Sequence, residues 1–329
     1  MKYKNIFITG GAGYVGSALV PKLLDNGYNV TVYDLFIYGD FLRNNANLKK
    51  IKGDIRDKDK LIKATKGADA FIHLACISND PSFDINPELG KSINFNAFPD
   101  ILNAAKNARV KRFILASSTS QYGIKDTNIE VTEDTYPEPI TDYAKFKMEC
   151  EKILSELDVG NMEYVCVRPA TICGYAPRLR LDLSVNTLAI NALVNKKIKI
   201  FGGSQLRPNL NINDMIRVYE LMLTAPTEKI NKQAFNVGYQ NKSIKELAEI
   251  VKETIGDPNI EFEFTKTDDI RSYHINSEKI KNVLGFETKF TIEDAVRSLM
   301  DAYKKGLIIN GLENPIYYNV QQMKLINLK

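Results

Sequence analysis

Short apolar runs alternate along the chain with longer stretches of mixed polarity. The runs Asn5–Thr9, Asn29–Tyr33, Lys49–Lys52, Ala70–Leu74, Arg112–Ala116, Glu163–Arg168 and Ala234–Val237 read as strands. Between most of them lie segments with Leu, Ala and Ile at helical spacing: Val15–Asn26, Lys58–Thr65, Gly90–Ala108 and Asp142–Leu157. Strand–helix alternation of this kind predicts an α/β fold with a doubly wound parallel sheet covered on both faces. Pro21 is a misfit in the first helix, because it removes a hydrogen-bond donor, and a local kink is expected there.

After Arg168 the texture changes. Pro, Asn and Arg are frequent through Pro169–Pro208, and Ala234–Val237 reads as a strand returning to the sheet. A helix at Ser243–Ile255, a strand at Ile260–Thr265 and a helix at Ile292–Lys304 follow. The expected organisation is a nucleotide-binding domain over residues 1–168, with a return strand near 234–238. A smaller mixed α/β substrate domain takes most of 169–329.

Composition narrows the function more than the fold. At 329 residues and 44% hydrophobic, the chain can bury a full core. Lys and Arg number 44 against 40 Asp and Glu, a net +4 with no basic block, so no nucleic-acid partner is expected. No apolar run approaches the ~20 residues of a membrane span. MKYKNIFITGG enters the first strand without a separate leader segment, so a cytoplasmic protein is expected. His73 and His274 are the only histidines, which excludes a His-rich metal site, and no metal is expected. Cys76, Cys150, Cys166 and Cys173 show no C-x-x-C spacing and read as reduced thiols.

The stretch ITGGAGYVGSALV places Gly10, Gly13 and Gly16 where the first strand turns into the first helix. Glycine there lets the backbone turn tightly and come close to a pyrophosphate, which the helix N-terminus then binds. The second strand ends at Asp34, about 20 residues beyond the glycines, where a carboxylate accepts from an adenosine ribose 2′-hydroxyl and repels a 2′-phosphate. This favours NAD over NADP and makes the sheet Rossmann-type. Further along, Tyr143 and Lys147 stand at i and i+4 and share a helix face. A nearby ammonium favours the phenolate, so Tyr143 is a candidate base for a substrate hydroxyl.

These pieces resemble an extended short-chain dehydrogenase/reductase of the NAD-dependent epimerase/dehydratase family, similar to UDP-glucose 4-epimerases. The resemblance covers nearly the whole chain. It rests on TGGAGYVG at Thr9–Gly16, Asp34, GDIRD at Gly53–Asp57, HLAC at His73–Cys76, Asn94, ASSTSQYG at Ala116–Gly123, Tyr143-x-x-x-Lys147 and RPATICG at Arg168–Gly174. It implies Ser118, Tyr143 and Lys147 as the catalytic set, with Ser118 bonding the oxygen being oxidised and Lys147 holding the nicotinamide ribose. The cofactor set it implies is Gly10, Gly13, Tyr14, Val15, Gly16, Asp34, Asp54, Ile55, Leu74, Ala75, Asn94, Tyr143, Lys147 and Pro169. Beside Ser118, the expected contacts to a nucleoside-diphosphate sugar are Arg207, Arg271, Arg180 and Asn186, with Arg207 on the diphosphate.

The resemblance implies oxidation of a sugar hydroxyl, usually at C4, to a keto intermediate. A family dehydratase would carry an Asp-Glu pair straight after the catalytic Ser/Thr. This chain has Thr119-Ser120 there, which points to epimerisation. GYAPRLRLDLSVN also resembles a subgroup with C4 dehydrogenases of nucleotide-linked heptoses, so net dehydrogenation or reduction is the alternative. An idle NAD-binding scaffold or sensor is a third reading, disfavoured by the retained Ser118, Tyr143 and Lys147. The resemblance also implies a homodimer through Gly90–Ala108 and Asp142–Leu157, with Phe95, Phe98, Ile101, Leu102, Met148, Ile153 and Leu157 as apolar candidates.

Overall fold

The computed structural model describes residues 2–126, 130–267, 272 and 274–329. Its centre is a sheet of seven parallel strands. β1 (Asn5–Thr9) lies inside it, with β2 (Asn29–Asp34) and then β3 (Leu48–Lys52) on one side. On the other side come β4 (Ala70–His73), β5 (Arg112–Ala116), the strand Glu163–Pro169 and finally Gln233–Val237. All seven expected strands are present, and the last does return to the sheet edge, pairing Phe235 with Val167.

Alternate residues of each strand serve opposite faces. Phe7, Phe71 and Phe113 pack in a row across β1, β4 and β5, with ring centroids 4.9 and 5.0 Å apart. Leu61, Ile101, Leu102 and Leu154 cover that face. Ile6, Ile8, Val30, Val32 and Ile72 point the other way, under Leu19, Val20, Leu23 and Met222. The second cluster continues through Leu188, Leu210, Val251 and Leu299, so both halves of the chain contribute to one core.

Helix α1 (Tyr14–Asp25) runs unbroken past Pro21, whose ring is exposed on its outer side. Gly90–Ala108 is not one helix. An α-turn at Pro87–Lys91 passes into a wider π-turn at Ser92–Asn96, and an α-helix resumes at Phe98–Asn107. The wide turn aims Asn94, whose side chain accepts from the Ile77 N–H at 2.8 Å and donates to the Ile77 carbonyl at 2.9 Å. Tertiary hydrogen bonding has overridden a helical pattern here. Phe98, Ile101 and Leu102 are fully buried in their own core and cannot face a second subunit as expected, whereas Phe95, Met148, Ile153 and Leu157 stay partly exposed.

Beyond the sheet, Leu206–Asn211 lies between Thr171–Cys173 and Gln240–Ser243, and Glu261–Thr265 pairs with Lys197–Phe201. The chain end then folds back over the first half. Gln322, on the helix Asn319–Leu325, donates to the Ile37 carbonyl at 2.6 Å, and Arg56 donates to the Lys329 carbonyl at 2.8 Å. No helix among the described residues is long and apolar enough to cross a membrane.

Candidate active site

From β1 the chain passes to β2 on one side of the sheet, and later to β4 on the other. The loops leaving β1 and β4 therefore part, and a crevice opens at their C-terminal ends. A cavity of about 520 Å³ occupies it.

The glycine turn forms one wall. Gly10 has φ +72°, and a Cβ there would lie 2.5 Å from the Ala75 nitrogen. A Cβ on Gly16 would lie 2.4 Å from the Gly11 carbonyl oxygen. Both positions need the missing side chain. Gly13 is the N-cap of α1, and no side chain caps it, so the first N–H groups of the helix, at Tyr14, Val15 and Gly16, are left for a ligand in the cavity. At the far end of this wall Asp34 accepts from the Ala12 N–H at 2.9 Å and the Phe36 N–H at 2.8 Å. Burial raises its carboxyl pKa, and those bonds and the nearby Arg178 oppose the rise. Asp54, Ile55, Leu74, Ala75 and Pro169 also line the cavity. Asp54 forms an ion pair with Arg56 at 2.6 Å. A glycine cradle, open helix N–H groups and an acidic strand end are together what a dinucleotide needs.

Ser118, Tyr143 and Lys147 line the opposite end. The helix Asp142–Glu156 begins with Thr141, which caps the Ala144 N–H and donates to Asp80 at 2.6 Å. This fixes Tyr143 in the first turn. Lys147 is 8% exposed, and its Nζ donates to the Ala116 carbonyl at 2.7 Å. Burial alone would lower the ammonium pKa, yet Cys76, Tyr143 and Cys150 around it raise it above the usual value. Burial raises the Tyr143 phenol above its ordinary range, and Lys147 opposes the rise. Ser118 Oγ accepts from the Ser120 N–H at 3.1 Å and the Ser120 hydroxyl at 2.9 Å. Both its lone pairs are engaged, so its own proton is free to be donated to a substrate oxygen.

A buried polar network holds this end rigid. Arg168 forms an ion pair with Glu151 at 2.6 Å and donates to the Tyr122 hydroxyl at 2.6 Å. Tyr122 in turn donates to Asn236 at 2.8 Å, on the returning strand. Gln121 and Ser117 also donate to Glu151, and Gln121 reaches back to the Ser118 carbonyl at 3.1 Å. His73 lies beneath, fully buried, within 2.7 Å of the Thr9 hydroxyl, and burial brings its pKa down to about 3. It is a neutral core residue.

Several expected contacts fall elsewhere. Asn94 does not line the cavity; it clamps Ile77, which does. Asn186 is fully buried and spent on the Gly174 N–H, the Arg180 carbonyl and the Tyr14 hydroxyl, so it braces the wall and cannot touch a substrate. Arg180 lines the cavity, but Asp182 holds it at 2.9 Å and Ser78 at 3.1 Å. Arg207 lines the cavity from its strand. Arg271 lies outside the described residues. Sequence reasoning missed Tyr38, Ser78, Arg178 and Asn319, all on the wall. The doubled arginine of PRLR was a signal for Arg178; nothing local marked Asn319.

A doubly wound sheet, a glycine turn with an acidic second strand and a Ser–Tyr–Lys set on one crevice define an extended short-chain dehydrogenase/reductase. Residues 6–238 match the model of the NAD dependent epimerase/dehydratase family, and the chain belongs to that family. UDP-glucose 4-epimerase of Lactobacillus helveticus is 28% identical, covering 91% of this chain and 97% of its own. UDP-glucuronic acid decarboxylase 4 of Arabidopsis thaliana is 29% identical, covering 92% of this chain and 69% of its own. The structure of UDP-glucose 4-epimerase with UDP-glucose from Thermotoga maritima is similar with a TM-score of 0.83 at 25% identity, covering 92% of this chain and 99% of that one. An epimerase and a decarboxylase stand at the same distance, so the similarity reaches the family and not the reaction.

Proposed function

We propose that the protein is a nucleotide-sugar epimerase that oxidises a sugar hydroxyl, at C4, and reduces the ketone again on its other face. The observation that supports this best is the convergence of Ser118, Tyr143 and Lys147 on the end of the crevice opposite Asp34. NAD fits the glycine wall, and when bound it supplies the hydride acceptor. Tyr143 takes the hydroxyl proton, Ser118 donates to the same oxygen, and Lys147 keeps a positive charge beside the phenol. On the return step Tyr143 gives the proton back. The turn after Ser118 carries Thr119, which donates to the Pro169 carbonyl, and Ser120, which donates to Ser118. Neither can move a proton at a neighbouring carbon, which favours epimerisation over dehydration.

The proposed substrate is a nucleoside-diphosphate sugar, with Arg207 on its diphosphate, and the UDP-sugars in the relatives' names are the first to test. Incubation with a panel of nucleotide sugars, followed by chromatography and mass measurement, decides the reaction. Unchanged mass with altered stereochemistry supports the proposal. Loss of two hydrogens would instead mean net C4 dehydrogenation, the reading favoured by the GYAPRLRLDLSVN segment, whose Arg178, Arg180 and Asp182 line the crevice. A homodimer through the partly exposed residues of the two helices, in a cytoplasmic setting, completes the proposal. Light scattering at micromolar concentration should give a dimer mass; a monomer overturns that part.

A further inference from the structure

Between Asp34 at one end of the crevice and Tyr143 at the other, the wall carries Arg178 and Arg180. Their surroundings differ. Arg180 is paired with Asp182 through two hydrogen bonds. Arg178 has no carboxylate within ion-pair distance among the described residues, and it is 2% exposed. Its guanidinium stacks over the Tyr38 ring, 3.7 Å from the centroid. One arm donates to Asn319 Oδ1 at 2.5 Å. Its Nε is buried with no hydrogen-bond partner. Burial brings the group down to about 10, with Tyr38, Asp182 and Asp34 acting in the opposite direction and Arg180 reinforcing the fall. A buried cation without a counter-charge, and a buried donor without an acceptor, are both costly. They make sense on a cavity wall that receives an anion.

Two diphosphates can enter the crevice, that of the cofactor and that of a nucleotide sugar. Arg178 stacks on Tyr38, lies within electrostatic reach of Asp34, and its backbone N–H donates at 3.0 Å to the hydroxyl of Ser17 in the first turn of α1; this position fits the first. We infer that Arg178 is a clamp for the cofactor diphosphate, set beside the first turn of α1 and positioned by Asn319 of the C-terminal helix. The inference rests on the placement of NAD argued above. An arginine suits the role because its planar fork meets two phosphate oxygens at once and stacks on an aromatic ring. Asn319 lies beyond residues 6–238, so the folded-back chain end becomes a part of cofactor retention.

The test compares ligands with and without the diphosphate. Calorimetry measures ADP-ribose, adenosine and UDP binding to the unaltered protein and to Arg178→Met, Arg178→Lys and Asn319→Ala. Arg178→Met should weaken ADP-ribose at least about tenfold while adenosine changes by less than about threefold and UDP is unaffected. Arg178→Lys keeps the charge without the fork and should fall between the two. Asn319→Ala should shift the same ratio by a smaller factor. Equal weakening of ADP-ribose and adenosine would reduce Arg178 to a structural role and overturn the inference. Loss of UDP binding alone would move the clamp to the nucleotide sugar and overturn it too. Should Arg178→Met not fold, the ADP-ribose to adenosine ratio of Arg178→Lys decides. An unaltered protein that binds neither ADP-ribose nor adenosine would instead sink the underlying cofactor placement.

Discussion

Lys147 Nζ lies 2.7 Å from the carbonyl oxygen of Ala116, the last residue of β5, and so ties the helix of Tyr143 to the end of the central sheet. The side chain is nearly buried and meets no carboxylate within ion-pair distance among the described residues. Its positive charge is held between Tyr143 and the cysteines Cys76 and Cys150, which keep it protonated. Lys147→Met keeps the volume and removes that buried charge. Turnover should fall by at least ~10²-fold and NAD should bind more weakly, while the protein stays folded with a thermal midpoint only modestly lowered by the loss of the bond to Ala116. A midpoint that collapses along with activity would make Lys147 a structural residue.

Tyr143 gives the second prediction. Burial raises its phenol, and Lys147 brings it part of the way back. The positive ring of an oxidised nicotinamide would lower it further. With the phenolate as the proposed base, the oxidation rate should rise with pH. The apparent pKa should be lower with the oxidised cofactor bound than in the protein alone, as followed by tyrosinate absorbance. Tyr143→Phe should cost at least ~10²-fold in turnover with cofactor binding kept. Ser118→Ala should be milder, since it removes a donor and leaves the proton acceptor. A Tyr143→Phe protein with full activity would remove Tyr143 from the mechanism.

Much of this site was legible in the sequence because its parts are local. A glycine turn, a strand-end aspartate and a Tyr-x-x-x-Lys helix turn each have a spacing that follows from one element. What escaped reading joins distant elements. Asn94 and Ile77 meet across 17 residues, and that contact bends an apparent helix into a π-turn. Arg178 and Asn319 meet across 141 residues, and no period or motif announces such a pair. Asn186 had the right segment but the wrong direction, since burial turned it toward backbone groups.

Asp34 should set cofactor choice. Its carboxylate already accepts two backbone N–H groups, so Asp34→Ala would disturb the turn as well as the charge. Asp34→Asn is the milder variant, because it keeps the shape and one of the two acceptor oxygens and removes the charge that repels a 2′-phosphate. The ratio of NADP to NAD dissociation constants should fall by at least about tenfold, an electrostatic change of ~1.4 kcal/mol. Equal binding of the two cofactors to the unaltered protein would overturn the assignment.

The last prediction concerns acid stability, and two buried groups carry it. Arg112, fully buried, donates to Glu163 at 3.0 Å and to the carbonyls of Met222 and Ala225 at 2.6 and 2.9 Å. Burial alone would raise the Glu163 carboxyl, but bonds from Arg112, Thr227 and Tyr3 bring it down to about 2 from an ordinary 4.5. A carboxyl lowered on folding stabilises above its unfolded pKa, and that contribution is lost as pH falls from 4.5 towards 2. His73 acts earlier. Burial keeps its ring neutral down to about 3, whereas the unfolded ring protonates near 6.5, so its contribution declines as pH falls through that range. The thermal midpoint should therefore be level above about pH 7, decline below about pH 6.5, and fall more steeply below about pH 4.5. Glu163→Gln leaves Arg112 without its counter-charge and should cost roughly 3–5 kcal/mol near neutral pH while flattening the steeper arm. A midpoint unchanged from about pH 7 down to about pH 4 would mean that neither group titrates with unfolding, against the burial that holds both.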